Sequence, residues 1–423
     1  MATIVISPTN VANFPKVGGH FWVFVQYAHG LRQMGCEVYW LEHFRRSKDQ
    51  AQDEVMLSTF FERMKQYGLD GKSILYTSNR DVPSAKSPYE YVNVSPPQAE
   101  AIFRQADLLL NFDYTIDPSF LSYFRRTALV DIDPGLLQFW ISNDQIQVPQ
   151  HDLYFTIGET VGTPSAKFSD CGLHWEHIHP PICLNLWPYA YDAQCETFTT
   201  VSSWWGGGGE GEWVTDKQEF CYENNKRVSF LEFVKLPCMT NQVLELALFL
   251  GEGDPEDEQT LESVNCRERK FSRESVTNYT GDVDDRQVLE SHGWRIRHAS
   301  QVAATPQMYQ SYVQKSRGEF SCAKPSCMTF QNAWVSDRTL CYLASGKPVV
   351  VQHTGSSSFL PNGEGMFRFS TLEAAAHALA SINSDYERHC RAAREIAKAY
   401  FDSKKVLVKI LDSVPRKFSR VLG

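Results

Sequence analysis

The chain has 423 residues, 41 lysines and arginines against 50 aspartates and glutamates, and a formal net charge of -9. That length favours two domains of about 200 residues each, and an acidic balance without a basic run argues against a phosphate-backbone partner, so no nucleic acid is expected. No apolar stretch approaches the roughly 20 residues of a membrane span, and the opening MATIVISPTN lacks the charged start and long apolar region of a secretory signal, so a cytoplasmic protein without a membrane span is expected. The 11 cysteines include no C-x-x-C pair and read as reduced, mostly buried thiols, neither disulfides nor zinc ligands.

Thr3 to Ser7 reads as a short apolar strand, followed by a loop holding Pro15, Gly18 and Gly19. Phe24, Ala28 and Leu31 then recur at helical spacing up to Gly35, and Cys36 to Leu41 is the next strand. Further strands are expected at Asp107 to Phe112, Thr127 to Ile132 and Leu153 to Ile157. This order opens a doubly wound, parallel α/β sheet. Between 180 and 198, Pro180, Pro181 and Pro188 mark a linker, after which the pattern restarts. It gives a strand at Phe198 to Trp204, a glycine loop at Gly206 to Gly209, a helix at Lys226 to Leu236 and a strand at Val243 to Leu250. An acidic insertion from Gly251 to about Asp284 reads as a solvated loop. A strand at Trp294 to Arg297, a helix capped by Thr305-Pro306 and a strand at Glu319 to Ala323 follow. In NAWVSDRTLCYLASGKPVVVQHTG, residues 332 to 355, Ser336 is placed as an N-cap and Gly346 at a left-handed C-terminal position. Val349 to Val351 then form a buried strand ending at Thr354-Gly355. The expected fold is α/β, two Rossmann-like doubly wound sheets facing a central cleft.

From SRGEFSCAKPS at 316 to 326, through WVSDRTLCYLASGKPVVVQHTG, to FLPNGEGMFRFSTLEAAAHAL, the chain resembles the donor half of a GT-B glycosyltransferase. The donor domain looks like that of glycosyltransferase families 1 and 4, and the likeness is best to a bacterial group. DYERHCRAAREIAKAYFDSKKVLVKIL resembles the family's closing helices, and GGHFWVFVQYAHGLRQMGCEVYWLE carries a weaker likeness near the start. The resemblance implies an acceptor domain at 1–190, a nucleotide-sugar domain at 191–400, and a C-terminal helix at 401–423 packing back towards the first. It also implies transfer from a nucleotide-diphosphate sugar, with a UDP-sugar as co-substrate, to a small-molecule acceptor, without a metal or other cofactor, by a monomer or homodimer. Two alternatives share the architecture: a non-catalytic nucleotide-sugar binding protein, and a sugar-nucleotide epimerase.

A diphosphate leaving group gathers negative charge, so cations and helix N-termini are sought in the second half. Ser336 and Arg338 supply a helix start and a guanidinium, Lys324 a second charge, and Asp337 orients Arg338, bonds the sugar or serves as a solvated cap. Thr354 and Gly355 end the next strand on the same rim. Many retaining relatives resemble each other in a glutamate pair; the matching positions here are Ala333 and Cys341, which favours inversion. An inverting transfer needs a base, and in plant-like members of the superfamily a histidine in the first strand-to-helix loop serves, oriented by an aspartate. His20 and Asp113 fall at those places, with Gly18 and Gly19 beside the histidine. Asp131 and Asp133, a D-x-D at a strand end, read as rim residues facing the acceptor and not as a metal site. His174, His177 and His179 read as loop residues, Gly206 to Gly209 as a hinge or surface loop, and Trp205 as a stacking surface.

Overall fold

The computed structural model describes residues 2–78, 89–206, 211–218, 221–249 and 282–413, so most of the expected acidic insertion and residues 414–423 lie outside the described residues. The first lobe carries β1 (Thr3–Ser7), α1 (Gly18–Gln33), β2 (Glu37–His43), α2 (Gln50–Gln66), β3 (Ser73–Ser78), β4 (Tyr89–Tyr91) and α3 (Pro96–Gln105). It continues with β5 (Leu108–Asn111), α4 (Pro118–Leu121), β6 (Thr127–Asp131), α5 (Leu136–Ser142), β7 (Leu153–Thr156) and β8 (Trp175–His177). The strands form one sheet in the order β4-β3-β2-β1-β5-β6-β7-β8, parallel except where β4 turns back on β3. Every residue of β5 and β6 is buried, as in strands covered on both faces.

The second lobe carries β9 (Thr197–Ser203), β10 (Trp213–Thr215), β11 (Cys221–Glu223), α6 (Lys226–Glu232), β12 (Val243–Phe249), α7 (Asp282–Ser291), β13 (Arg295–His298) and α8 (Ser300–Ala303). Then come α9 (Pro306–Lys315), β14 (Gly318–Ser321), α10 (Pro325–Phe330), α11 (Asp337–Ala344), β15 (Val349–Gln352), β16 (Met366–Phe369), α12 (Leu372–Ser384), α13 (Tyr386–Ile396) and α14 (Ser403–Asp412). Its sheet, β13-β12-β9-β14-β15-β16, is parallel throughout, and β10 and β11 form a separate hairpin. Helix α6 stops earlier than its sequence suggests, and Leu236–Met239 makes a short 3-10 turn through Pro237. Helix α11 closes as expected: Gly346, at φ +70°, donates its N–H to Leu343 O at 2.9 Å, and Lys347 donates to Tyr342 O at 2.9 Å.

Two sets of contacts join the lobes. On one side α1 lies against α9 with almost no space between them: a Cβ on Gly18 would collide with the Thr305 carbonyl, and one on Gly19 would sit 2.9 Å from the Tyr309 ring. Trp22 donates Nε1 to Pro306 O at 3.0 Å and meets Trp187 of the linker edge-on, ring centres 4.8 Å apart. Helix α14 returns to this side, where Leu407 and Ser403 lie over Gly30 of α1. Elsewhere between the lobes Phe330 of α10 packs between Phe139 and Phe168 of the first lobe, with ring centres 5.8 and 5.5 Å away. Gly135, at φ +84°, makes room there, since its Cβ would fall 2.8 Å from that of Phe330.

Candidate functional site

A cavity of about 310 Å³ lies between the lobes, large enough for part of a nucleotide sugar. Its first-lobe wall comes from the start of α1 and from Pro181 and Ile182; its second-lobe wall comes from the ends of β9 and β12, the start of α6 and the start of α11. Of the residues expected at a site, Gly19, His20, Ser336, Asp337 and Arg338 line it together.

Buried Glu42 fixes the loop that delivers His20, accepting the Ala12 N–H and the Trp40 indole N–H, each at 2.8 Å. Burial pushes that carboxyl up to about 7. His20 Nε2 lies 2.7 Å from Thr9 O. A carbonyl only accepts, so Nε2 carries the proton and Nδ1 keeps its lone pair. Burial also lowers the pKa of the ring below the ordinary 6.5, so it is neutral at neutral pH. The expected partnership with Asp113 is not made. Asp113 Oδ1 instead accepts both the N–H and the hydroxyl of Thr115 at 2.9 Å, a local turn that answers the carboxylate two residues away. Gly18 and Gly19 are explained by the approach of α9.

Asp131 is fully buried, its Oδ2 accepting from Gln138 Nε2 at 2.8 Å and Thr156 Oγ1 at 2.9 Å, and burial pushes its pKa up to about 7. It braces the strand ends and does not face an acceptor. Asp133 is the part of the D-x-D that looks across the cleft: burial raises its pKa, Lys324 opposes that rise and Glu212 adds to it. Among the described residues no three of His, Cys, Asp and Glu gather to hold a metal ion. His177 and His179 bond the carbonyls of Val161 and Tyr400, each at 2.8 Å.

The cations singled out from sequence are both engaged by carboxylates. Arg338 gives Nε to fully buried Glu319 at 2.7 Å, Nη1 to Val201 O at 3.0 Å and Nη2 to the Ser321 hydroxyl. It reaches the cavity wall as one side of a buried pair, not as a free fork. Lys324 Nζ meets Glu212 Oε2 at 2.5 Å. Ser336 holds the N-cap position of α11 with backbone angles of -70° and 139°, yet its hydroxyl caps nothing. Asp337 makes no bond to Arg338. Burial pushes its carboxyl up to about 6, with Asp133 adding to the rise and its own amide opposing it. Thr354 and Gly355 hold the loop before α11: Thr354 donates Oγ1 to Trp334 O at 2.8 Å, and a Cβ on Gly355 would collide with the Gln331 carbonyl. Thr354 borders a separate space of only about 20 Å³, room for a water and not for a sugar.

Sequence reasoning missed Lys226, the first residue of α6. It lines the cavity and has no hydrogen-bond or ion-pair partner among the described residues. Burial, followed by the Arg338 and Lys324 cations, pushes its pKa down to about 7. Asn225, at the N-cap, does not cap the helix; its Oδ1 accepts Gly206 N at 2.7 Å and Glu212 N at 2.9 Å, so α6 opens beside the glycine loop with its first turn uncapped. Gly207 to Gly209 lie outside the described residues. Trp205 is no open stacking platform, for the Arg227 guanidinium sits 4.9 Å from its ring centre.

No family model matches the chain, and no curated protein does. Solved structures do. An alpha-glucosyltransferase in complex with UDP and a 13-mer DNA is similar over 97% of this chain and 98% of that one, at 12% identity and a TM-score of 0.55. Anabaena HepE in complex with UDP and glucose is similar over 97% and 99%, at 11% identity and 0.52. The sucrose-phosphate synthase of Thermosynechococcus elongatus is similar over 97% and 98%, at 12% identity and 0.50. The DNA complex corrects the exclusion of nucleic acid drawn from net charge: this architecture is found holding DNA, and a chain-wide charge sum does not report the field at a groove. No helix among the described residues is long and apolar enough to cross a membrane. Two mostly parallel, helix-covered sheets facing one cleft, matched end to end by these structures, give the chain the GT-B fold of nucleotide-sugar glycosyltransferases.

Proposed function

We propose that the chain is a glycosyltransferase that moves a hexose from a UDP-sugar to an acceptor hydroxyl, with residues 191–400 taking the donor and 1–190 the acceptor. The observation that carries this reading is Lys226, a cation with no ion-pair partner among the described residues, which lines the cleft together with the start of α11, where the Ser336 hydroxyl caps nothing. Such a pairing suits a diphosphate. The UDP held by the solved structures of the same fold supports the choice of nucleotide. Buried thiols such as Cys183, Cys322 and Cys390 suit a reducing cytoplasm.

In this mechanism the acceptor O–H gives its proton to His20 Nδ1 as its oxygen attacks the anomeric carbon. The bond from that carbon to the β-phosphate oxygen breaks on the opposite face, so configuration inverts, and the electron pair leaves with UDP. Lys226 and the first-turn amides of α11 meet the charge that develops there, the task a divalent metal performs elsewhere. The Thr9 carbonyl takes the part expected of Asp113, holding the tautomer and stabilising the imidazolium. In this reading Asp337, which makes no hydrogen bond to Arg338, bonds the transferred sugar.

Incubation with UDP-glucose and simple glycosides, followed by assay of UDP release and the anomeric coupling of the product, tests the reading. Chelator-insensitive turnover with an inverted product is expected. Absence of UDP binding, or turnover abolished by chelators, would overturn it.

A further inference from the structure

We propose that Gln26 and the uncharged wall around it form the acceptor subsite and select a neutral, hydroxyl-bearing sugar or polyol over charged ones. This rests on the glycosyl-transfer reading above and names the second substrate's class. His20, Val23 and Gln26, spaced by threes, line the cavity along one face of α1. The two walls differ in charge. The second-lobe wall presents Lys226, Asp337 and Arg338, whereas the first-lobe residues lining the cavity include no lysine, arginine or carboxylate, and His20 is neutral. A charged acceptor lying on the first-lobe wall would leave water without a counter-charge, which the burial of an ion penalises.

Gln26 supplies the specific contact. It is only 3% exposed, and its Oε1 accepts the Cys183 N–H at 2.8 Å. A backbone N–H can meet only the oxygen, so the amide orientation is fixed. Its Nε2 is then a buried donor with no partner among the described residues. A donor left in this way is costly unless a ligand or water supplies an acceptor. His20 Nδ1, six residues away along α1, is a lone pair that needs a donor. A polyol has separate hydroxyls to accept from the one and donate to the other, and unlike a carboxylate or an ammonium it brings no charge to this wall.

The test uses Gln26→Glu and Gln26→Leu with three probes: methyl α-D-glucopyranoside, glucuronate and glucosamine. Each is titrated by ligand-detected NMR in saturating UDP, with the UDP Kd measured separately by calorimetry. Gln26→Glu keeps an oxygen for Cys183 and removes the donor, so it separates recognition from folding. The expected result is glucoside binding at least about tenfold tighter than either charged sugar in the parent protein. It falls about tenfold in Gln26→Glu near pH 8, and recovers as the pH is lowered and the new carboxyl gains a proton to donate. Gln26→Leu, which has no proton to gain, loses binding at every pH. Equal binding of a charged sugar, no binding of the glucoside, or unchanged binding in Gln26→Glu would each overturn the proposal. A parent protein that binds no UDP would instead strike the transferase reading, and the glucoside titration repeated without UDP would still decide the subsite.

Discussion

The two walls of the cleft handle charge in opposite ways. The second-lobe wall is crowded with ionised groups, and most are answered internally: Arg338 by Glu319, Lys324 by Glu212. Among the described residues Lys226 lines this wall without a hydrogen-bond or ion-pair partner. The first-lobe wall avoids charge and offers single polar atoms on α1. The difference teaches that a cation at a helix start is a ligand site only if no carboxylate has reached it first, and burial decides that more than sequence position does.

The sharpest way to break the comparison is to remove Arg338. If the residue is half of a buried pair, Arg338→Ala strands Glu319 and should cost about 3–5 kcal/mol of stability in chemical denaturation. A stable variant that had lost only UDP affinity would erase the distinction between the two cations. Next in size, Lys226→Met should weaken UDP binding by about 10- to 100-fold in calorimetry, the loss of one charge-assisted hydrogen bond, with the melting temperature held or raised. Gly18→Ala should cost about 1–3 kcal/mol by overpacking α1 against α9, and small-angle scattering should show the lobes further apart.

The smallest effect is a pH slope. Lys226 titrates near 7 in the free protein, and a bound diphosphate would raise that value. UDP affinity should therefore be constant below about pH 7, then fall up to tenfold per pH unit above it, with proton uptake on binding. The slope should vanish in Lys226→Met. The stability term has the reverse dependence, because the charged form is the disfavoured one in the fold. Its penalty is fully present below about 7 and is relieved as pH rises toward the ordinary 10.5.

Much of the architecture was legible because buried parallel strands write themselves as apolar runs. β1, β5, β6, β12 and β15 all lie within or beside the segments read from sequence, and Thr305-Pro306 opens α9 with Thr305 Oγ1 accepting Met308 N at 3.1 Å. The hairpin β10–β11 was not legible, since three-residue strands leave too few alternations to count. At the site, sequence spacing found His20 and the start of α11 but not the partners of their neighbours. Asp113 was lost to a turn two residues away, and Arg338 to a glutamate on β14. Lys226 was read merely as a helix start, because its low pKa comes from burial and from Arg338 and Lys324, far off along the chain. Such pairings are properties of the folded surface.

The aromatic clasp formed by Phe330 between Phe139 and Phe168 ties the lobes together apart from the Trp22–Trp187 contact. Any swing of one lobe away from the other on this side must first part these rings. Domain motion in turnover would then work against three phenylalanines that line no part of the cavity.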